Sequence, residues 1–222
     1  PRGEDEQVNP ADLAAIVLLN LAGAATPGPD IVLLTRLATR SRRHAIAATL
    51  GIYVGAFFWI TLTVLGAAAV LTAFPWLLEL IQVAGGSWIM FMGYTTARQG
   101  WRDRENPPLD LDDAEDRLGT TRDSFIKGLT TNLSNPKIVL FLAALVAPLL
   151  PPSPSIGTAA VVIFALWFTA FLLFISFSLV VSTNRVRRRL FSAGPYIDMG
   201  AGGFFIAAGT FLVVRGIVGL GS

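Results

Sequence analysis

Thr26-Pro27-Gly28-Pro29-Asp30 interrupts an apolar run that extends from about Leu13 to Leu37. At a rise of 1.5 Å per residue, roughly 20 apolar residues cross the hydrocarbon core of a bilayer, so these prolines, the glycine and the carboxylate fall at membrane depth. Proline inside a helix costs about 3 kcal/mol. A charge near the bilayer centre costs about 2.5–3.5 kcal/mol or more. A span that carries both side by side reads as a helix broken on purpose, with a polar centre.

The rest of the chain agrees with a membrane setting. Of its 222 residues, 53% are hydrophobic and 14% charged, and the mean hydropathy is +0.61, too apolar for an ordinary soluble domain. The apolar runs are continuous and lack the alternation of a barrel strand, so the expected class is all-α and polytopic. Six segments are predicted, at about 13–37, 45–73, 75–97, 125–150, 156–183 and 196–220, separated by polar, basic or proline-rich breaks. Residues 1–12 are polar and acidic and read as a tail outside the fold, with no cleavable signal peptide; residues 13–222 read as one six-helix domain. A mixed-charge linker, 98–123, contains Asn106-Pro107-Pro108 and the acidic stretch from Asp110 to Asp116, and has room for a short amphipathic helix. The chain has no cysteine, and its one histidine, His44, is expected in a polar loop, so no metal site and no cofactor are predicted. No nucleic-acid partner is expected either; the lipid bilayer is.

Basic residues set the orientation. Arg40, Arg42 and Arg43 occupy the first loop, Arg98, Arg102, Arg104, Arg117, Arg122 and Lys127 lie in or beside the third, and Arg185, Arg187, Arg188 and Arg189 fill the fifth. The second and fourth loops have none. The positive-inside rule then makes the odd loops cytoplasmic and places both termini outside.

The chain also repeats itself. Gly28-Pro29-Asp30-Ile31-Val32-Leu33 runs parallel to Asn135-Pro136-Lys137-Ile138-Val139-Leu140, and the pair Gly86 and Gly93 is echoed by Gly202 and Gly209. Two three-helix repeats, about 13–97 and 125–220, are therefore expected. Each crosses an odd number of times, so the second is inverted relative to the first. Inverted repeats around broken helices are the architecture of secondary transporters.

Backbone accounting gives the breaks a chemistry. Pro27 and Pro29 lack an N–H, which leaves the carbonyls of Gly23 and Ala25 without helical partners, and Pro136 does the same to Asn132. Carbonyls freed in this way must face protein, water or a ligand, not lipid. Past each break a half-helix starts, with proline suited to its first position and free N–H groups aimed at an anion. Free carbonyls and Asp30 offer a place for an ammonium group, and helix N-termini with Lys137 offer one for a carboxylate. A zwitterionic amino acid suits such a pocket.

Thr26-Pro27-Gly28-Pro29-Asp30 in the first span, Asn135-Pro136-Lys137 in the fourth and six spans in this length resemble the LysE/RhtB family of bacterial amino-acid exporters, over essentially the whole chain outside the tail. The resemblance implies export of amino acids or close relatives across the bacterial inner membrane, energised by the proton gradient. The Thr-Pro-Gly-Pro-Asp form is nearer the homoserine, threonine and leucine branch than the basic amino-acid branch. The candidate substrate-binding residues are Thr26, Pro27, Gly28, Pro29, Asp30, Asn132, Asn135, Pro136 and Lys137, with Asp30 also the candidate for carrying a coupling proton.

Each candidate has a plainer alternative. Asp30 could pair permanently with Lys137 and only hold the repeats together. Lys137 could be a structural partner or a snorkelling side chain. Asn132 and Asn135 are suited to mending the backbone at the break. Gly51-x-x-x-Gly55 is a small-residue packing motif that close helix approach within one chain explains without dimerisation, and a homo-oligomer is left open. Export of basic amino acids or another small solute would use the same fold. An intramembrane enzyme is the remaining class, and it is weakly supported. There is no Gly-x-Ser-x-Gly elbow or His-Glu-x-x-His set, and an aspartyl mechanism would require a second acid near Asp30, for which Asp198, placed near the end of the sixth span, is the aspartate available.

Overall fold

The computed structural model describes residues 9–26, 28–67, 74, 76–142, 149 and 154–220. Pro27, and parts of the expected second and fourth spans, lie outside the described residues. All regular structure among the described residues is helical.

Helix α1, Pro10–Ala25, starts where Asn9 accepts the Ala11 N–H at 3.0 Å, with proline at the first position. Its first turn therefore takes in residues expected in the tail. After Thr26 to Gly28 the chain resumes as α2, Pro29–Arg40, at 59° to α1. Ser41 alone separates α2 from α3, Arg42–Leu62, and its hydroxyl accepts the His44 N–H at 3.3 Å. One π turn, Thr63–Ala67, follows, with Gly66 at φ 93°, a left-handed conformation open to glycine.

Helix α4 is Trp76–Glu105 and overruns the segment expected to end near residue 97. Its last turn carries Arg102 and Arg104, which suit the negative end of a helix dipole and let the helix continue into the polar region. The linker then forms a short helix, α5, Leu111–Asp116, capped by Asp110. Helix α6, Thr121–Leu133, opens with a capping box between Thr120 and Asp123, and α7, Pro136–Phe141, is capped by Asn135. Ile156–Val181 forms α8, Asn184–Leu190 the basic helix α9, and Gly194–Leu220 α10.

Three described helices are long and apolar enough to cross a membrane, namely Arg42–Gly66, Ile156–Val181 and Gly194–Leu220, and α1 with α2 qualifies as one bent span. Leu18, Val54, Phe57, Phe91, Phe164, Phe211 and Val218 are all exposed on the outer surface, as side chains facing lipid would be.

Glycines govern how the helices meet. A Cβ on Gly86 would come within 2.8 Å of the Gly209 carbonyl, and one on Gly93 within 2.8 Å of the Gly202 carbonyl. The residues that echo each other in sequence thus meet face to face, and α4 and α10 run antiparallel in close contact. Gly51 and Gly128 do the same for α3 and α6, where an added Cβ would overlap the carbonyls of Phe125 and Ala48 respectively. The motif at Gly51 and Gly55 is therefore used within the chain. Small residues allow this approach, and in lipid the gain comes from dispersion contact rather than from a hydrophobic driving force.

Two expectations about the first loop fail. With only Ser41 between the helices, Arg40 belongs to α2 and is buried, and His44 sits in the first turn of α3, buried, with Nδ1 2.8 Å from the Ser124 hydroxyl.

Candidate functional site

The two breaks face each other across the bundle. Asp30, in the first turn of α2, accepts hydrogen bonds at Oδ2 from Asn132 Nδ2 at 3.1 Å and from Asn135 Nδ2 at 3.4 Å, residues more than a hundred positions away. Its other oxygen, Oδ1, is buried and has no hydrogen-bond partner, and the same holds for Asn132 Oδ1. Lys137 turns the other way. Its ammonium donates to the Thr26 carbonyl at 2.6 Å, and its backbone N–H is capped by Asn135 Oδ1 at 3.1 Å. Asp30 and Lys137 form no ion pair, although both line one cavity.

The carbonyls left by the prolines behave differently from the expectation. The Gly23 carbonyl accepts from Thr26 N at 3.2 Å, and the Asn132 carbonyl from Asn135 N at 3.0 Å. Tightening the last turn to an i, i+3 bond gives each of these two a partner within its own turn. The Thr26 carbonyl is the one that takes a cation, and the cation is Lys137. At the opposite side of the break, Gly28 caps α2 with no side-chain bond to its free N–H groups, because glycine has nothing to offer them.

The cavity offers about 70 Å³ to the centres of water-sized spheres and opens into a wider mouth. Thr26, Gly28, Asp30, Asn132, Asn135 and Lys137 form its polar end. Ile52, Ala56, Ile60, Ile138, Phe141, Ala170 and Phe174 supply an apolar wall. Among the described lining residues Asp30 is the only acid and Lys137 the only base. Gly23 lies directly under the Phe141 ring, which a Cβ would strike at 2.5 Å. Pro29 and Pro136 are buried at the starts of their half-helices, shaping the cavity without lining it.

Two polar lining residues were not anticipated from the sequence. Asn20 is buried in α1 and ties it to α8 through a 2.9 Å bond from Nδ2 to the Leu166 carbonyl. A lone amide in the apolar run ahead of the break is the signal for it. Tyr53 has its ring centroid 6.2, 5.3 and 5.5 Å from those of Trp167, Phe171 and Phe174, in edge-on contact with each. Its signal is its place between Gly51 and Gly55, a tyrosine flanked by close-packing glycines.

The LysE type translocator family matches this chain over residues 21–216, a stretch containing both breaks and every candidate residue. The chain belongs to that family. It is therefore a membrane transporter and not an enzyme. The translocator is 30% identical over 203 residues to an uncharacterized membrane protein of Haemophilus influenzae, covering 91% of this chain and 96% of that protein. It is 30% identical over 208 residues to the threonine efflux protein of Escherichia coli K12, covering 90% and 96%. It is 28% identical over 212 residues to the threonine efflux protein of Salmonella typhimurium, with the same coverage of 90% and 96%. No solved structure matches the translocator.

Proposed function

We propose that the translocator exports neutral amino acids, such as threonine, homoserine or leucine, across the bacterial inner membrane, driven by the proton gradient. The observation that carries this reading is that Asp30 and Lys137 share one cavity without pairing with each other. Opposite charges this close to a common space, each held by neutral groups, suit the two ends of a zwitterion. The unpartnered Asp30 Oδ1 is the acceptor for an ammonium group. Lys137 and the uncapped N-terminus of α2 receive the carboxylate. The side chain then lies along Ile52, Ala56 and Ile138, where the described lining offers no second acid to neutralise a basic side chain. The relatives add support, since those of Escherichia coli and Salmonella are threonine efflux proteins. Asp30 also carries the coupling proton in this reading, charged when it holds cargo and neutral when it releases it.

The transport cycle follows from the same parts. Six spans in two inverted repeats, with both termini outside and the arginine-rich loops inside, put the two breaks near the midplane. One repeat rocks against the other with Pro29 and Pro136 as hinges. The test is efflux of preloaded radiolabelled amino acids from proteoliposomes, with and without an imposed pH gradient. Gradient-dependent efflux of threonine, homoserine or leucine is expected, with loss to background in Asp30→Asn protein that still inserts and elutes as one species. Near-normal efflux by that variant removes Asp30 from the mechanism. Efflux of lysine alone would overturn the cargo assignment, and a sealed, well-inserted preparation that moves no amino acid would overturn the substrate class.

A further inference from the structure

A second cluster of charge lies on the linker face of the bundle, past buried Leu33 and Leu34 of α2. Asp198 of α10 is wholly buried and accepts hydrogen bonds from Arg36 Nε at 3.0 Å and Nη2 at 3.3 Å, while Arg40 Nη2 lies 2.9 Å from it as an ion-pair contact without hydrogen-bond geometry. Arg40 Nη1 reaches Asp103 of α4 at 2.8 Å. Asp103 is completed by Arg117 Nη1 at 3.1 Å and by Gln99 Nε2 at 2.8 Å. Arg36 and Arg40 come from α2, Arg117 from the linker, and both aspartates from the α4–α10 pair that the glycines hold together. The ion pairs thus fasten α2 to that pair at one end.

A buried network of this kind adds little net stability over an apolar one of the same volume, because desolvation offsets the attraction, whereas it does fix one arrangement of the helices against others. Position makes that arrangement consequential. Arg36 and Arg40 follow Asp30 by six and ten residues on the same uninterrupted half-helix, roughly 9 and 15 Å along its axis. A shift of α2 at the cavity is a shift at the arginines.

We propose that Arg36 and Arg40, clamped by Asp198 and Asp103, form a latch that closes the linker face, and that the latch must open for cargo to pass between that face and the cavity. Helix α2 couples the two, so events at Asp30 bias the latch and opening of the latch repositions Asp30. This inference rests on the chain being a transporter, not on which solute it carries.

The chain contains no cysteine, so single introduced thiols report directly on access. Leu37→Cys, at a buried position on α2 level with the latch, between Arg36 and Arg40 in sequence, is reconstituted in proteoliposomes and labelled by a membrane-impermeant maleimide added from either face. Labelling from the linker face is expected to rise about tenfold when Asp198→Asn is added, as the closed population gives way. A thiol at Val139→Cys, buried in α7 away from the latch, should label no faster in the Asp198→Asn background, and Asp12→Asn, on the exposed start of α1, should leave Leu37→Cys unchanged. Unchanged labelling of Leu37→Cys in folded Asp198→Asn protein overturns the latch, and so does an equal rise at Val139→Cys, which reports general loosening. Should Asp198→Asn fail to fold, Asp103→Asn, which removes the Arg40 Nη1 partner and leaves Arg40 to Asp198 alone, is expected to give a smaller rise at Leu37→Cys with none at Val139→Cys, and no rise in that folded variant overturns the latch. Failure of the cargo assignment shows in efflux and leaves this labelling untouched.

Discussion

Asp30 and Asp198 are both buried carboxylates, one on α2 and the other packed against it, and the protein treats them in opposite ways. Asp198 is enclosed by two guanidinium groups and has bonds to both oxygens. Asp30 is given two neutral amides on one oxygen and nothing on the other, with a lysine in the same cavity that bonds elsewhere. A buried charge with every partner in place holds a conformation. A buried charge with one oxygen unpartnered is costly to fold around, and such a cost is retained where a ligand or proton completes the site.

The comparison breaks most visibly under mutation. Removing Asp198 as Asp198→Ala strands Arg36 in the interior, leaves Arg40 with Asp103 alone, and should cost about 3–5 kcal/mol, the usual penalty for halving a buried ion pair. Thermal unfolding in detergent should show a large fall in Tm, whereas Asp30→Asn, which keeps an oxygen for the Asn132 amide, should leave Tm nearly unchanged while export is lost. Similar Tm losses for the two would mean that Asp30 is structural as well.

Glycine packing comes next in size. Gly51→Val pushes a side chain into the Phe125 carbonyl and should destabilise the α3–α6 contact by about 1–3 kcal/mol, the cost of overpacking. Because α3 and α6 carry Tyr53 and Asn132 into the cavity, export should fall in step with Tm; export that falls while Tm holds would show that the contact tunes the site directly.

The smallest effect concerns the linker. Asp113 is held below the ordinary carboxylate range, first by the Leu109 backbone N–H and then by Arg117. A folded-state value below the unfolded one stabilises above the unfolded pKa, and that contribution disappears as pH falls through the folded value. Hydrogen-exchange protection across Asp110 to Arg117, taken relative to the intrinsic rate at each pH, should therefore fall on acidification through the carboxylate range, and Asp113→Asn should flatten that dependence. The group is exposed, so salt will weaken the effect. The buried Arg40–Asp103 pair beside it should resist the same salt, which sharpens the contrast between screened and enclosed charge.

Much of the molecule is legible in its amino-acid order. Hydropathy places the helices, prolines place both breaks, and the parallel between Gly28-Pro29-Asp30 and Asn135-Pro136-Lys137 indicates that the breaks belong together. Helix ends are less legible. Helix α4 continues to Glu105 because arginines at its last turn and Asp103 in the latch reward a helix that hydropathy alone would stop. His44 and Arg40 look like loop residues because a run of arginine suggests solvent, and a turn as short as Ser41 carries no signature beyond its cap.

What the sequence by itself determined is everything that local periodicity and covalent chemistry control: a helical membrane chain, where its helices lie, and where proline forbids them to continue. Tertiary structure alone decided the partners. Whether Asp30 meets Lys137 or two amides, and whether Arg36 points into lipid or into Asp198 162 residues away, depends on the depth and rotation of helices about their axes. Those are set by where glycines let backbones close in on each other, a property of pairs of helices that no single stretch of sequence contains.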